Sequence, residues 1–405
     1  MEKWIKSIKG TIPHTNRTVD FELNGRNLIV TGANGSGKTS FVRTLYYFID
    51  IKILTVVKAE TKEIIEELLK QNSLLTEEET KNVVAKVMED SGWIHAIPFF
   101  GLSKISDDTV DFVDKKLFRN LYEGKKAVLK FYEEKRLSEI KQPKTGQQIK
   151  ATEKLGNELE QHLLNLRTRQ SFAISMEKNQ TLANDIENWF VDFESKLKLL
   201  FEDDNLELKF DPNTSHFSII QNDKPPFTFQ TLSAGYRAIF DIYADLLMHT
   251  EYFKIMPNEL TGVVLIDEID SHLHVSLQRL ILPFFTESFP KIQFIVTTHS
   301  PFVLMSTPDT VVFDLAKNEA ITEDLSYYTY SAIMEGLWDV KPIAKRIEDI
   351  INEIETIIHS ENKDIRQLEI LINEIKGREN GLDSESKAIF LLGKQTLLKE
   401  ERKNV

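Results

Sequence analysis

The first fifty residues alternate between apolar and polar positions and then stop at glycine. Trp4, Ile5 and Ile8 precede a polar turn, and Val19, Phe21 and Leu23 alternate as one face of a strand does. Asn27-Leu28-Ile29-Val30-Thr31 is a short apolar run, and residues 40–49 space their apolar positions as an amphipathic helix does. The pattern predicts strand, glycine-rich loop, helix.

From residue 51 to about 204 the pattern changes. Segments 63–70, 77–89, 155–166 and 186–201 carry helical spacing with dense charge, which predicts a mostly helical insertion. Strand patterns return at 206–210 and 216–220, and again at 262–266 and 292–297. The last two are near-continuous apolar runs, as expected of parallel strands buried on both faces. Helical patterns at 234–249 and 275–289 separate them, so the chain reads as an α/β core split by the insertion. Residues 317–405 read as helix. Ile343, Ile347, Ile350, Ile354 and Ile357 step by four and three, the a/d seam of packed helices. The segment 359–364 interrupts the seam, and Ile365, Leu368, Leu371 and Ile375 resume it, which predicts an antiparallel helical hairpin. The expected organisation is an N-lobe at 1–50, an insertion at 51–204, a C-lobe at 205–316 and a helical region at 317–405.

Composition narrows the classes. The chain has 405 residues, 41% hydrophobic and 28% charged, enough for more than one buried core. A net charge of -13 argues against a surface coated by nucleic acid but leaves room for a local basic groove. Residues 115–169 hold 14 Lys and Arg against 7 Asp and Glu, which fits either a basic helical face or an ordinary solvated one. The absence of cysteine excludes a disulfide scaffold, a thiol nucleophile and a Cys-ligated metal. Residues 1–20 carry Lys3, Lys6, Lys9 and Arg17 without a signal-peptide apolar core, and no stretch reaches the ~20 apolar residues of a membrane span. A cytoplasmic protein without membrane contact is the expectation.

Gly32-Ala-Asn34-Gly35-Ser36-Gly37-Lys38-Thr39 fits the P-loop pattern in full. Its glycines let backbone N–H groups wrap phosphate oxygens, and the following helix points its positive end at the same anion. Lys38 supplies a point charge, and the Thr39 hydroxyl is a Mg²⁺ ligand; Ser40 completes the ATP-binding stretch from Asn34. Val263-Val-Leu-Ile266-Asp267-Glu268 fits a Walker B strand whose end delivers two carboxylates. Asp267 holds Mg²⁺ through water in this reading, and Glu268 orients or deprotonates the attacking water. Thr297-Thr298-His299-Ser300-Pro301 follows another apolar strand, and its His299 can hydrogen-bond the γ phosphate. Ser233 and Gly235, in Leu232-Ser-Ala-Gly-Tyr236, open a helix; by itself this is an ordinary N-cap.

In this order the four stretches resemble the ABC-type ATPase head. The resemblance covers residues 1–50 and about 205–316. It implies that two heads dock head to tail, with ATP between the P-loop of one and the signature Ser233 and Gly235 of the other. Ala234 and Tyr236 depart from the family's common glycine and glutamine. The family's Q-loop has candidates in Gln142, Gln147 and Gln148, with Arg136 as the alternative. Glu268-Ile-Asp-Ser-His272-Leu-His274 and Thr-Thr-His-Ser-Pro resemble the branch containing RecF, the OLD ATPases and the AAA15/AAA21 group, although Val275 replaces a proline common there. Within it, the run from Leu232 through Phe302 looks like the ATPase subunits of bacterial anti-phage operons. These are the Septu type, which works with an HNH nuclease, or the similar PARIS type, which works with a TOPRIM nuclease.

The resemblance implies an ATPase using ATP and Mg²⁺, at least dimeric with ATP, controlling an effector nuclease encoded in the same operon. A RecF-like DNA-repair ATPase that holds DNA through the basic stretch is the alternative. Glu335-Gly-Leu-Trp-Asp339 superficially matches the opening of a TOPRIM domain, but Asp383-Ser-Glu385 follows no apolar strand. The nuclease is therefore expected on another chain. The hairpin and the tail 384–398 are its expected dock, or else pack on the ATPase body.

Overall fold

The alternating residues near the N-terminus form paired strands. Strand β1 (Ile5–Thr11) runs antiparallel to β2 (Thr18–Glu22), whose Val19 and Phe21 are buried while Thr18, Asp20 and Glu22 face out. The computed structural model describes residues 3–11, 18–50, 110–134, 140–144, 155–222, 224–340, 343–360 and 362–403. The helices expected at 63–70 and 77–89 lie outside the described residues. Strand β3 (Asn27–Thr31) is buried at every position, as its unbroken apolar run requires, and passes through the glycine loop into α1 (Lys38–Ile49). Phe41, Val42, Leu45 and Phe48 of α1 pack beneath the sheet with Phe21, Leu28 and Phe313. Phe21 stacks on Phe313 with ring centroids 4.5 Å apart.

The next elements are β4 (Val110–Phe112), α2 (Lys115–Glu123), β5 (Ala127–Tyr132), α3 (Leu159–Ser175) and α4 (Gln180–Phe201). A small hairpin, β6 (Glu207–Asp211) and β7 (His216–Ile220), leads to α5 (Ala234–Phe253). Then follow β8 (Thr261–Ile266), α6 (Val275–Ser288), β9 (Lys291–Thr297), the short α7 (Pro301–Leu304), β10 (Thr310–Asp314) and β11 (Glu319–Ile321).

Among the described residues, six strands form the central sheet in the order β11-β10-β3-β9-β8-β5. All neighbours are parallel except β10 and β11. The stretch 51–204 is therefore not separate from the core throughout. Within it, β4 pairs with β1 and β5 pairs with β8 over six register positions. Sequence pattern missed β5 because its buried part is only Ala127-Val-Leu129, flanked by Lys125, Lys126 and Lys130. Pairing with β8 supplies what periodicity lacks. Gly262 makes that pairing close: its φ is +146°, and a Cβ there would lie 2.1 Å from the Val128 carbonyl oxygen.

The other described elements of the stretch are the helices α2, α3 and α4, with a short 3-10 turn before α3. Ile186, Phe190, Phe193, Leu197 and Leu200 recur every three or four residues on α4 and are buried. Among the described residues no helix is long and apolar enough to cross a membrane.

Residues divide into two units, Met1–Tyr328 and Thr329–Val405. The second begins at α8 (Tyr330–Trp338) and continues as α9 (Lys345–His359), α10 (Ile365–Ile375) and α11 (Ser384–Lys403). The seam isoleucines Ile350, Ile354 and Ile357 meet Leu368, Leu371 and Ile375, so the predicted hairpin forms. The tail completes it. Phe390 of α11 is fully buried in the same core, and a Cβ on Gly393 would lie 2.8 Å from Ile372 Cδ1. Its outer face keeps Leu391, Leu392 and Leu398 half exposed.

Gly262→Ala should push β5 off β8. The expected loss is about 3 kcal/mol, from backbone strain and overlap together. A fall in the urea midpoint at unchanged slope checks it, and an unchanged midpoint contradicts the close approach.

Candidate functional site

Register brings three loops to one edge of the sheet. Leu28, Ile29 and Val30 of β3 lie opposite Ile295, Val296 and Thr297 of β9, and Val296 also lies opposite Ile266 of β8. The glycine loop, the Asp267-Glu268 pair and the Thr298-His299 pair therefore leave the sheet side by side.

The glycine loop is shaped by its neighbours. Gly32 has φ +139°, and a Cβ there would come 3.0 Å from Ser36 Oγ and 3.1 Å from the Ala316 nitrogen. Only glycine fits that approach without strain. Asp314, at the end of β10, accepts the Ala316 N–H at 2.7 Å and the Lys317 N–H at 3.1 Å. Gly37 caps α1 in the left-handed region and provides no side-chain acceptor for the first helical N–H groups. The buried Lys38 ammonium donates to the Gly32 and Ala33 carbonyls at 3.1 and 3.2 Å. Asn34 and Gly35 are exposed at the tip, while Gly37, Thr39 and Ser40 are half-buried. The Ser36 and Thr31 hydroxyls are buried and make no hydrogen bond to the described residues. An orphan hydroxyl beneath a left-handed glycine loop is what an oxyanion ligand would satisfy.

Two threonines tie the carboxylates to the neighbouring strands. The Thr297 hydroxyl donates to Asp267 Oδ1 at 2.7 Å and accepts the Glu268 N–H at 2.7 Å. The Asp267 N–H in turn donates to the Tyr132 carbonyl of β5 at 2.9 Å. The Thr298 hydroxyl donates to Asp270 Oδ1 at 2.5 Å and accepts the Ser300 N–H, while its own N–H reaches the Val30 carbonyl of β3. Glu268 sits at φ +46°, a conformation unusual for a long side chain, and this bond pattern holds it there. Sequence reasoning singled out His299 and passed over both threonines. Their signal was a polar pair where an apolar strand ends.

The charges form one cluster. Burial lowers the Lys38 pKa, opposed by Glu268, Asp267, Asp270 and Asp314 in that order. Burial raises the Glu268 pKa, and Glu134, Asp267 and Asp270 add to the rise against Lys38. Burial, then Lys38, lowers the His299 pKa against Asp270, which favours a neutral imidazole. Glu134, Asp270 and Asp314 were not among the expected site residues.

Ser233 and Gly235 lie elsewhere. Ser233 is the exposed N-cap of α5, and its hydroxyl caps nothing. Gly235 is buried against the loop after β8, where a Cβ would lie 3.1 Å from the His272 carbonyl oxygen. Tyr236 stacks on Phe201 at 4.2 Å, which accounts for the aromatic residue at that position. The approach to Ser233 is anchored by Gln230, whose amide donates to the buried Glu160 carboxylate at 2.5 Å. His274 caps α6 by accepting the Ser276 N–H. Of the Q-loop candidates, Gln142 is exposed; Arg136, Gln147 and Gln148 lie outside the described residues.

The basic stretch 115–169 is divided among α2, β5 and α3. Lys130 pairs with Asp245, Lys141 with Glu158, Arg167 with Glu187 and Arg169 with Glu177. Lys135, Arg136, Lys150 and Lys154 of the stretch lie outside the described residues. Glu335 lies on α8 and Asp339 is its C-cap, while Asp383 accepts the Ser386 N–H at the start of α11.

A glycine loop after a buried parallel strand, with paired carboxylates and a histidine on the two adjacent strand ends, defines an α/β P-loop ATPase head. The chain belongs to the family described as "AAA domain, putative AbiEii toxin, Type IV TA system", which matches residues 28–306. The chain is similar to the Retron Ec83 probable ATPase of Escherichia coli. Identity is 29% over 185 residues, 43% of this chain and 32% of that protein. It is also similar to the Septu protein PtuA of Bacillus mycoides (strain KBAB4). Identity there is 40% over 95 residues, 22% of this chain and 13% of that protein. The chain thus spans a third or less of the length of these two relatives. Among solved structures, an SMC head bound to the C-winged helix domain of ScpA matches with TM-score 0.39 and 12% identity. That match covers 80% of this chain and 100% of the other.

Thr297→Val should leave the buried Asp267 oxygen and the Glu268 N–H without their partner, at a cost of about 2 kcal/mol. Thr297→Ser should restore most of it. Equal denaturation midpoints for the valine variant and the wild type would contradict the bridging role.

Proposed function

We propose that the chain binds ATP with Mg²⁺ at the shared edge of β3, β9 and β8 and hydrolyses it to ADP and phosphate. The observation that carries this is the convergence of Lys38, Asp267, Glu268 and His299 on one electrostatic cluster beside the glycine loop. The residues present fit the nucleotide and its cation. The Ser36 hydroxyl is buried without a partner among the described residues, a Cβ at Gly32 would crowd Ser36 and Ala316, and the donors offered to a metal are hard oxygens. Thr39 and Asp267 would hold the Mg²⁺, which when bound neutralises charge on the phosphates.

This chain's own groups do the rest. The backbone N–H groups from Asn34 to Ser40 receive the phosphate oxygens, and Lys38 balances their charge. Glu268 orients the attacking water and takes its proton as the bond from the γ phosphorus to ADP breaks. His299, neutral, hydrogen-bonds the γ phosphate. Ser233 and Gly235 act on the nucleotide of a second copy, so that ATP closes a dimer and hydrolysis reopens it. The exposed and uncapped Ser233 hydroxyl supports that role.

The biological reading is an ATPase subunit of a bacterial anti-phage defence complex. The names of its relatives, a retron ATPase and a Septu protein, support it. In this reading the ATPase controls a separate effector nuclease of HNH or TOPRIM type from the same operon. ATP holds the complex in one state until infection releases it. A pull-down of tagged Glu268→Gln protein from its native operon with Mg-ATP tests this. A stoichiometric nuclease in a large assembly supports it. A dimer recovered alone with DNA overturns it.

Two outcomes follow at the site. Glu268→Gln should retain ATP binding and lose about a hundredfold or more in phosphate release; equal release would remove Glu268 from the chemistry. Glu134→Gln should move the acid limb of the rate profile to lower pH. Burial and then Glu134 keep Glu268 protonated to a higher pH than an ordinary glutamate, and only the ionised form accepts a proton. The same shift makes the folded state hold that proton more tightly. Its contribution to stability is therefore present at low pH and lost as pH rises through the raised value.

A further inference from the structure

Among the described residues, β5 ends the central sheet beside β8, and its alternation offers side chains to two helices. Ala127, Leu129 and Phe131 join the core formed with α1, where Phe131 stacks on Tyr46 with ring centroids 5.7 Å apart. Lys130 and Tyr132 alternate with them and meet α5. The Tyr132 hydroxyl donates to Asp245 Oδ2 at 2.7 Å, and the Lys130 ammonium reaches the same oxygen at 3.1 Å. Asp245 is 6% exposed, and its Oδ1 is buried with no hydrogen bond to the described residues. Its backbone is seated against the 3-10 turn before α3, where a Cβ on Gly156 would lie 2.7 Å from the Asp245 nitrogen.

The same tyrosine touches the ATP edge through its backbone. Tyr132 lies opposite Ile266, and its carbonyl accepts the Asp267 N–H at 2.9 Å, one rung beyond the paired strands. The next residue, Glu133, pairs with Arg43 of α1 at 3.0 Å, and the charge of Glu134 reaches Glu268. One residue thus meets the middle of α5 with its hydroxyl and the backbone of the candidate Mg²⁺ ligand with its carbonyl. A bond between a phenol and a buried carboxylate desolvates both groups, and an apolar pair of the same size would hold the two elements about as firmly. What the bond adds is direction, because it forms in a narrow range of distance and angle. Loss of solvation and then the Asp245 charge raise the Tyr132 pKa well above its ordinary value, so the phenol keeps the proton it donates.

We propose that Tyr132 is a positioning residue for ATP hydrolysis, fixing the Asp267 backbone against α5 through its carbonyl and its hydroxyl. Its hydrogen bonds run to α5 and to Asp267, away from the glycine loop, so it acts on turnover and leaves nucleotide affinity alone. The backbone that carries Asp267 and Glu268 sets where their carboxylates stand, and a small shift there spoils the alignment of the attacking water. The kinetic part rests on the ATP reading above. The structural part, that the hydroxyl secures the Asp267 N–H, does not.

Two measurements on the full chain test it. Without nucleotide, Tyr132→Phe should speed hydrogen–deuterium exchange of the Asp267 amide severalfold, while peptides over residues 28–45 keep their wild-type rates. At saturating Mg-ATP the same variant should release phosphate about tenfold more slowly, with an unchanged Kd for a fluorescent ATP analogue. Asp245→Asn keeps an acceptor for the hydroxyl and should restore turnover to within about twofold of wild type. Wild-type exchange of the Asp267 amide in Tyr132→Phe overturns the proposal, whether or not the chain hydrolyses ATP. So does a lowered denaturation midpoint with full turnover, which would make the bond structural only, or a loss of affinity that matches the loss of turnover. A wild type that releases no phosphate defeats the ATP reading and with it the kinetic role, and the exchange rate still decides whether the hydroxyl secures Asp267.

Discussion

The candidate site depends on β9 lying between β3 and β8 in parallel register. A ladder of backbone hydrogen bonds sets that register, and slipping it by one residue would turn every side chain to the other face. With it in place, three strands end together and their loops leave on one side. Thr297 and Thr298 then convert backbone register into side-chain geometry. One hydroxyl joins β9 to the Asp267 carboxylate and the Glu268 backbone, and the other joins it to Asp270. Both are fully buried, so water does not compete for these bonds.

On that frame the charges are in tension. Lys38 loses solvation in its loop and is compensated by four carboxylates, while Glu268 is crowded by three of the same sign. Asp270 and Asp267 serve both sides of this balance. An anionic ligand at the loop would add negative charge beside Lys38 and acidic side chains that already repel one another. A divalent cation is the group that relieves such a cluster, and the oxygen donors at Thr39 and Asp267 suit one. The N-cap of α5 stands outside this cluster and is held instead by Gln230 on the buried Glu160. The nucleotide edge and the Ser233 turn thus rest on different supports within one unit.

The elements legible in the sequence were those whose pattern needs no partner. β3, β8 and β9 are near-continuous apolar runs because both faces are covered, and the P-loop residues carry their chemistry in their spacing. The isoleucine seam of α9 and α10 is read from its steps alone. β5 was hidden because three buried residues among lysines make no pattern until β8 pairs with them. The packing of α11, expected as helix, on the hairpin was hidden for a similar reason. The seam does not say that Phe390 will fill its remaining side.

By itself the sequence determined the local devices: the glycine loop, the lysine behind it, the strand that delivers two carboxylates, and the histidine after the next strand. Each is a short-range matter of backbone freedom and alternation. Only the tertiary structure decided their neighbours. That Thr297 bridges Asp267 and Glu268, that Glu134 and Asp270 load the site, and that Gly235 packs on the His272 carbonyl are long-range facts. So is a concavity lined by residues as far apart in the chain as Asp185 and Phe289. Strand order and helix packing bring these residues together, and no local periodicity encodes which distant segment will be the neighbour.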